Sequence, residues 1–178
     1  MTIYLIRHGK SEANKHNLYC GVTDSPLSDA GREELRNIHY DISNVCFLTS
    51  GMKRTDETLK ILFGDVAFRV EPRFREVDFG VFEMHSYEQL KDRADYQAWL
   101  EGDNEANIPP QGESGAQMKA RVLQALSEIT EDTCIITHGG VIAAIMAHLF
   151  PREGKSRYQW QPQNGRGWAI CNDRYWEL

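Results

Sequence analysis

Short apolar runs alternate along this chain with longer stretches whose apolar residues recur at helical spacing. "TIYLI" at 2–6 has the length and β-branched character of a buried strand. "PLSDAGREELRNI" at 26–38 opens on a turn signal and continues as a helix, with Ser28 or Asp29 near its N-cap. "VCFLTS" at 45–50 predicts a second strand. "MKRTDETLKILF" at 52–63 predicts a helix with Met52, Thr55, Leu59 and Leu62 on one face. "VAFRV" at 66–70 reads as a third strand, and Ser86 before "YEQL", with Gln89 three residues on, forms a capping-box pattern. The polar, proline-containing stretch 101–114 precedes a helix, "GAQMKARVLQALSEI", that lines up Met118, Val122, Ala125 and Ile129. "TCIITHGG" at 133–140 predicts a fourth strand ending in a His-Gly turn, and "VIAAIMAHLF" an apolar helix. "GWAICN" and "RYWEL" read as closing strands.

Strands alternating with helices imply an α/β fold with a mostly parallel sheet and helices on both faces. Ligands in such folds bind beyond the carboxyl ends of the strands. Arg7 and His8 stand where the first strand stops, and Gly9 lets the backbone turn sharply there. At 178 residues the whole chain, 1–178, is expected to form one domain. A net charge of -6 argues against a protein that wraps nucleic acid. No apolar stretch reaches the roughly 20 residues that span a bilayer, and "TIYLI" is too short for a secretory signal, so no membrane partner and a cytoplasmic location are expected. Cys20, Cys46, Cys134 and Cys171 lie far apart with no C-x-x-C, as expected of buried thiols in a reducing compartment. Oligomeric state leaves no mark in the sequence.

The candidate chemistry sits at the strand ends. "THGG" repeats the logic of "RHG", so two strands each deliver a histidine to one edge of the sheet. A third strand leads to Ser50 and then to Arg54 near a helix start. Arg7, His8, Arg54 and His138 can therefore converge. Two guanidiniums fork onto oxyanions, and helix N-termini add backbone donors, which points to phosphate. The same arginines would repel a divalent cation, and no H-x-x-x-H or H-E-x-x-H spacing occurs, so no metal is expected. A histidine kept neutral by neighbouring cations could attack phosphorus and form a phosphohistidine that water then cleaves. The leaving group needs a proton, and Glu76, Asp78 and Glu83 are the acidic candidates; spacing does not rank them. His16, His39, His85 and His148 read as surface or packing residues, and Trp160, Trp168 and Trp176 as core. Tyr19, Phe79 and Phe82 flank the candidate site.

Six stretches in order carry a resemblance. "LIRHGKSEAN", "PLSDAG", "TSGMKRTDET", "REVDFGVFE", "PPQGES" and "ITHGGVI" resemble the signatures of the histidine phosphatase superfamily, over residues 3 to about 145. The resemblance implies a phosphoglycerate mutase-like fold, a three-layer α/β/α sandwich with a mostly parallel sheet of about six strands. It implies that His8 is the phosphorylated nucleophile and Glu76 the proton donor, that Arg7, Arg54 and His138 complete the phosphate pocket, and that no metal or organic cofactor takes part. Asn14 matches a phosphate-contacting polar residue, and Gly21 and Gly139 are taken as further substrate contacts. Lys10-Ser11, Phe74, Met84 and Ala143 depart from the common pattern without touching the pocket. "NLYCGVTDSPLS", "FGVFEM" with "SYEQL", and "YQAW" before "IPPQGES" look like the alpha-ribazole phosphatases of cobalamin assembly. The expected substrate is a small phosphate monoester, alpha-ribazole 5′-phosphate by this likeness. The alternatives are a broad-specificity phosphatase, a phosphoglycerate mutase-type transferase, or a phospho-ligand binding module. Residues 82–112 are expected to cover the pocket.

Overall fold

The computed structural model describes residues 1–103 and 105–178. Six strands form one sheet in the order β3-β2-β4-β1-β5-β6. They are β1 (Thr2–Arg7), β2 (Cys46–Thr49), β3 (Arg69–Val70), β4 (Thr133–Thr137), β5 (Gly167–Cys171) and β6 (Arg174–Glu177). β1, β2, β3 and β4 run parallel, and β5 and β6 add antiparallel strands at one side. The helices are α1 (Glu12–Lys15), α2 (Asp29–Arg36), α3 (Lys53–Phe63), α4 (Tyr87–Leu90), α5 (Ala94–Leu100), α6 (Gly115–Ser127), α7 (Gly139–Leu149) and α8 (Arg157–Trp160). The mixed, mostly parallel α/β sheet is the one the alternation of elements implies.

β1 and β4 lie inside the sheet, and successive side chains on a strand face opposite ways. Ile3 and Leu5 therefore join Ile135, Val122 of α6, and Ile142 and Met146 of α7 in one core layer. Ile6 joins Phe47, Cys134, Ile136 and Leu59 of α3 in the other. Burial on both faces is why these strands read as unbroken apolar runs. Each such aliphatic side chain contributes about 1.5–3 kcal/mol on burial.

α2 begins at the N-cap expected for it, since the Ser28 Oγ accepts from the Gly31 N–H at 3.0 Å and fixes the helix start after Ser28. Other elements differ from the sequence reading. β3 keeps only two residues; Val66 and Phe68 pack against the α3-side core instead of extending the strand. The His-Gly "turn" after β4 is already helix, with His138 as N-cap and Gly139 as the first residue of α7. Trp176 is 46% exposed because β6 is the sheet's edge strand, so it is not core, whereas Trp160 and Trp168 are buried. The four cysteines are free thiols, but only Cys134 is buried.

A separate apolar cluster lies outside the sheet layers. Phe82, Leu90 and Tyr96 form its centre, with Tyr19, Phe79, Val81, Trp99 and Leu100 packed around it. The Tyr19 and Tyr96 hydroxyls sit 2.6 Å apart. No helix among the described residues is long and apolar enough to cross a membrane.

Candidate active site

Strand register builds the centre of the site. Arg7 of β1 pairs with Thr137 of β4, so His8 and His138 emerge side by side one residue later. Their rings meet edge-on with centroids 5.1 Å apart. Thr49 of β2 pairs with Ile136, which brings Ser50 to the same edge. The Ser50 Oγ lies 2.9 Å from His138 Nε2. The four residues singled out as convergent, Arg7, His8, Arg54 and His138, do stand together.

His8 is held in one tautomer. Its Nδ1 is 2.7 Å from the Gly9 carbonyl oxygen, which can only accept, so Nδ1 carries the proton. In the neutral ring Nε2 then keeps its lone pair. Burial holds His8 well below the usual histidine range, and the charges of Arg54 and Arg7 push it the same way, against a raising effect of the Gly9 carbonyl. Gly9 is itself fixed, since its N–H donates to Thr58 Oγ1 at 2.9 Å and Thr58 donates to the Arg54 carbonyl. A side chain here would displace Leu35: a Cβ on Gly9 would sit 2.5 Å from Leu35 Cδ1.

The two arginines present unbalanced charge. Arg54 is 1% exposed, and its Nη1 and Nη2 donate to the carbonyls of Thr23 and Gly21 at 2.8 and 2.6 Å. Arg7 donates from Nη1 to the Pro162 carbonyl at 2.8 Å. Among the described residues neither guanidinium has a carboxylate within ion-pair distance. Burial lowers Arg7 from the ordinary arginine range, and the Glu76 charge partly offsets this. Buried charge without a counter-charge is expensive, so the arrangement favours an anion between the two. Arg7 Nε and His138 Nδ1 are buried without a hydrogen-bond partner. Native interiors leave few such atoms, and both of these belong to one site.

The three acidic candidates part company here. The Glu76 carboxylate accepts the N–H groups of Val77 and Gly140 at 3.0 and 2.8 Å, beside the start of α7. A Cβ on Gly140 would come within 2.4 Å of it. Asp78 caps the turn at Gly80. Glu83 gathers the N–H groups of Gly21, Val22 and Phe79 on Oε1 and that of Thr23 on Oε2. It thereby fixes the loop whose carbonyls hold Arg54. Arg121 donates to the carbonyls of Arg73, Arg75 and Glu76 at 2.7, 2.7 and 3.0 Å and pairs with Glu113, so it fixes the backbone that carries Glu76. Sequence reasoning missed both supporting roles; no local signal marks them.

Asn14 closes the capping box of α1. Its Oδ1 accepts from the Ser11 N–H and Oγ–H at 3.1 and 3.0 Å, which leaves its NH2 for a ligand. The Gly21 N–H is taken by Glu83 and its carbonyl by Arg54, so Gly21 offers a ligand no free donor and acts through Arg54. A Cβ on it would lie 1.7 Å from the Val77 carbonyl oxygen. Gly139 opens α7 beneath the Gln161 side chain, which approaches a Cβ position to 2.2 Å. Among the described residues no group of three or more His, Cys, Asp or Glu is placed to hold a metal ion.

Residues 3–170 match the histidine phosphatase superfamily (branch 1). The chain belongs to that family. It is 29% identical over 182 residues to the adenosylcobalamin/alpha-ribazole phosphatase of Escherichia coli K12, covering 96% of this chain and 89% of the relative. It is 25% identical over 195 residues to a protein named probable phosphoglycerate mutase GpmB from Yersinia enterocolitica, covering 96% and 91%. The crystal structure of a candidate alpha-ribazole-5′-P phosphatase from E. coli K-12 superposes with a TM-score of 0.87 at 24% identity, over 100% of this chain and 94% of that one. A phosphoglycerate mutase from Thermus thermophilus superposes with a TM-score of 0.78 at 27% identity, over 98% and 95%. The protein is thus a histidine phosphatase superfamily enzyme of the phosphatase/mutase type, from a family that acts on small phosphate substrates.

In this histidine phosphatase an aromatic cleft approaches the site through Gln161 and Arg157, whose side chains lie against Gly139 and Gly140. The cleft, of about 200 Å³, is lined by Tyr19, Phe79, Trp99, Tyr158, Arg157 and Gln161, among others. Arg157 Nη1 donates to Glu105 Oε1 at 2.6 Å and so ties α8 to the loop residue Glu105. Met84, a departure noted in the sequence, adopts φ 59°, a left-handed conformation that favours glycine.

Proposed function

We propose that this enzyme hydrolyses a small phosphate monoester through a phosphohistidine, without a metal or organic cofactor. His8 Nε2 attacks phosphorus, the bond to the leaving oxygen breaks, and Glu76 protonates that oxygen. Water then attacks the phosphohistidine, giving its proton to Glu76, and His8 leaves as neutral imidazole with inorganic phosphate. Arg7, Arg54 and His138 hold the charge on the non-bridging oxygens, with the Asn14 amide and the Gly139 N–H beside them. The observation that carries the reading is the His8 ring. Its proton is fixed on Nδ1 by Gly9, and the charges of Arg54 and Arg7, neither of which has a carboxylate within ion-pair distance among the described residues, act on the ring.

The favoured substrate is alpha-ribazole 5′-phosphate, in cobalamin assembly. A relative with that activity in its name matches almost the whole chain, and an aromatic cleft suits a planar, heteroaromatic leaving group. The second reading is a phosphoglycerate mutase-type transferase, which the named mutase relatives favour. A glycerate carboxylate would need a free cation in the cleft, and Arg157 there is paired with Glu105. On this reading residues 1–178 act as one domain, and 82–112 cover the leaving-group side.

Phosphate release in the presence of a chelator tests the reading on alpha-ribazole 5′-phosphate, 3-phosphoglycerate and nitrophenyl phosphate, with His8→Ala as control. A large kcat/KM preference for the ribazole ester, lost in the variant, supports both chemistry and substrate. Even, weak activity on all three retains the phosphatase and rejects the substrate. Isomerisation of 3-phosphoglycerate outrunning phosphate release favours the mutase.

A further inference from the structure

The two histidines of the site differ in which nitrogen carries the proton, and the difference follows from a chain of hydroxyls. The Thr55 Oγ1 donates to the Met52 carbonyl oxygen at 2.8 Å, and a carbonyl only accepts. With its one proton so placed, Thr55 can only accept from Ser50, whose Oγ lies 3.1 Å away. Ser50 has then used its own proton, so it accepts from His138 Nε2 at 2.9 Å. His138 must carry its proton on Nε2, leaving Nδ1 bare. All three side chains of this relay are buried, at 0%, 0% and 1% exposure for Ser50, Thr55 and His138, so water does not scramble the order. Nδ1 is the His138 atom that is buried without a partner.

An oxyanion cannot sit against a bare lone pair. Any contact of His138 with a phosphoryl oxygen goes through Nδ1, since Nε2 is occupied by Ser50, and Nδ1 must then hold a proton. We propose that Ser50 and Thr55 are positioning residues that fix His138 as its Nε2–H tautomer, so that binding of a tetrahedral dianion draws one proton from solvent onto Nδ1. The proposal rests on the reading of this site as a phosphate pocket. Charged and titratable groups surround His138: Arg7 and His8 from the end of β1, Arg54 from α3, Arg121 from α6, Glu76 from the loop at 75–79 that meets the start of α7, and Arg157 from α8. Burial, and after it the net positive set, keeps the ring neutral while the pocket is empty, and a dianion reverses the charge balance. His8, fixed as the Nδ1–H tautomer, keeps its Nε2 lone pair throughout.

Sulfate is the probe, because it stays a dianion over the working range and brings no proton of its own. Long-range ¹H–¹⁵N spectra of the full chain with labelled histidine read each ring directly. The free protein is expected to show His8 with the proton on Nδ1 and His138 with it on Nε2. Sulfate-saturated protein is expected to show His138 doubly protonated and His8 unchanged. Sulfate affinity should then weaken up to tenfold per pH unit as pH rises, one proton being linked to binding. The linkage should persist in Glu76→Gln, which separates His138 from the carboxylate as the proton's destination. In Thr55→Val the Ser50 proton is released to point at Nε2, so the neutral ring should move to the Nδ1–H tautomer and sulfate should bind without proton uptake. A free-state Nδ1–H on His138, or sulfate binding with His138 still neutral, overturns the proposal. Failure of sulfate and phosphate to bind at all overturns instead the phosphate-pocket reading beneath it.

Discussion

The His8 end of the site and the Trp99–Tyr158 end are made from different parts of the fold. At the first, His8, Arg54 and His138 are 5%, 1% and 1% exposed, and strand register sets their positions. At the second, Tyr158 is 83% exposed and the walls come from α5, α8 and the loop carrying Tyr19. Two parallel strands ending at one level leave little freedom for the histidines, which suits in-line chemistry where small misplacements are costly. A wall of loops and short helices can change shape without disturbing that geometry, which suits selection among leaving groups.

The largest effect expected at the buried end is the loss of His8. His8→Ala should lower kcat by about 10⁴-fold or more on every ester, whatever its leaving group, as removal of a nucleophile does. Steady-state phosphate release checks this, and retention of a tenth of the activity would break the division of labour. Glu83→Ala comes next. It frees the four N–H groups that fix residues 21–23 and Phe79, so Arg54 loses its alignment, and kcat/KM should fall by roughly 10²-fold. The loss should be similar for aromatic and aliphatic esters; a loss confined to aromatic esters would place Glu83 with the leaving-group wall.

The buried end also leaves a mark on stability. His8 and His138 titrate well below the ordinary histidine range, chiefly through burial and then the Arg54 charge. Below about pH 6.5 the unfolded chain protonates these histidines while the folded chain does not, so the unfolded state binds more protons. Stability should therefore fall as pH drops from about 6.5 towards the depressed folded values, by up to about 1.4 kcal/mol per pH unit for each histidine, and be unaffected by them above that window. Denaturant titrations from pH 7.5 to 5 check the slope, and His138→Gln should lessen it. The smallest effect belongs to the exposed end: Tyr158→Ala should lower kcat/KM a few-fold for an aromatic leaving group, about 0.5–1 kcal/mol, and hardly at all for a small aliphatic phosphate.

The same contrast governs what the sequence reveals. "TIYLIRHG" and "TCIITHGG" announce their chemistry because an apolar strand must stop at the sheet edge, and the next residues inherit a fixed place. Their parallel register is what turns two separate His-Gly steps into one pair of rings. Arg54 is legible for the same reason, lying one helical turn after a strand end. Glu83 and Arg121 are not, because their partners are backbone groups of distant loops that no side-chain pattern encodes. Arg157 and Gln161 reach the site from beyond α7, through the connection to β5, outside every local motif. Trp176 misleads for a related cause: apolar character on a closing strand does not say whether another strand follows to cover it. The hydroxyl relay through Ser50 and Thr55 is half visible, since their spacing reads only as strand end and helix face.

The central claim is that the phosphoryl group passes through His8 Nε2. The most direct measurement is to mix enzyme with nitrophenyl phosphate, quench in alkali, which spares phosphohistidine, and locate the phosphoryl group by mass spectrometry and ³¹P–¹⁵N NMR. A phosphoramidate on Nε2 of His8 is expected, absent from His8→Ala. A phosphoryl group on Nδ1 of His8, on Glu76 or on any other side chain would contradict it.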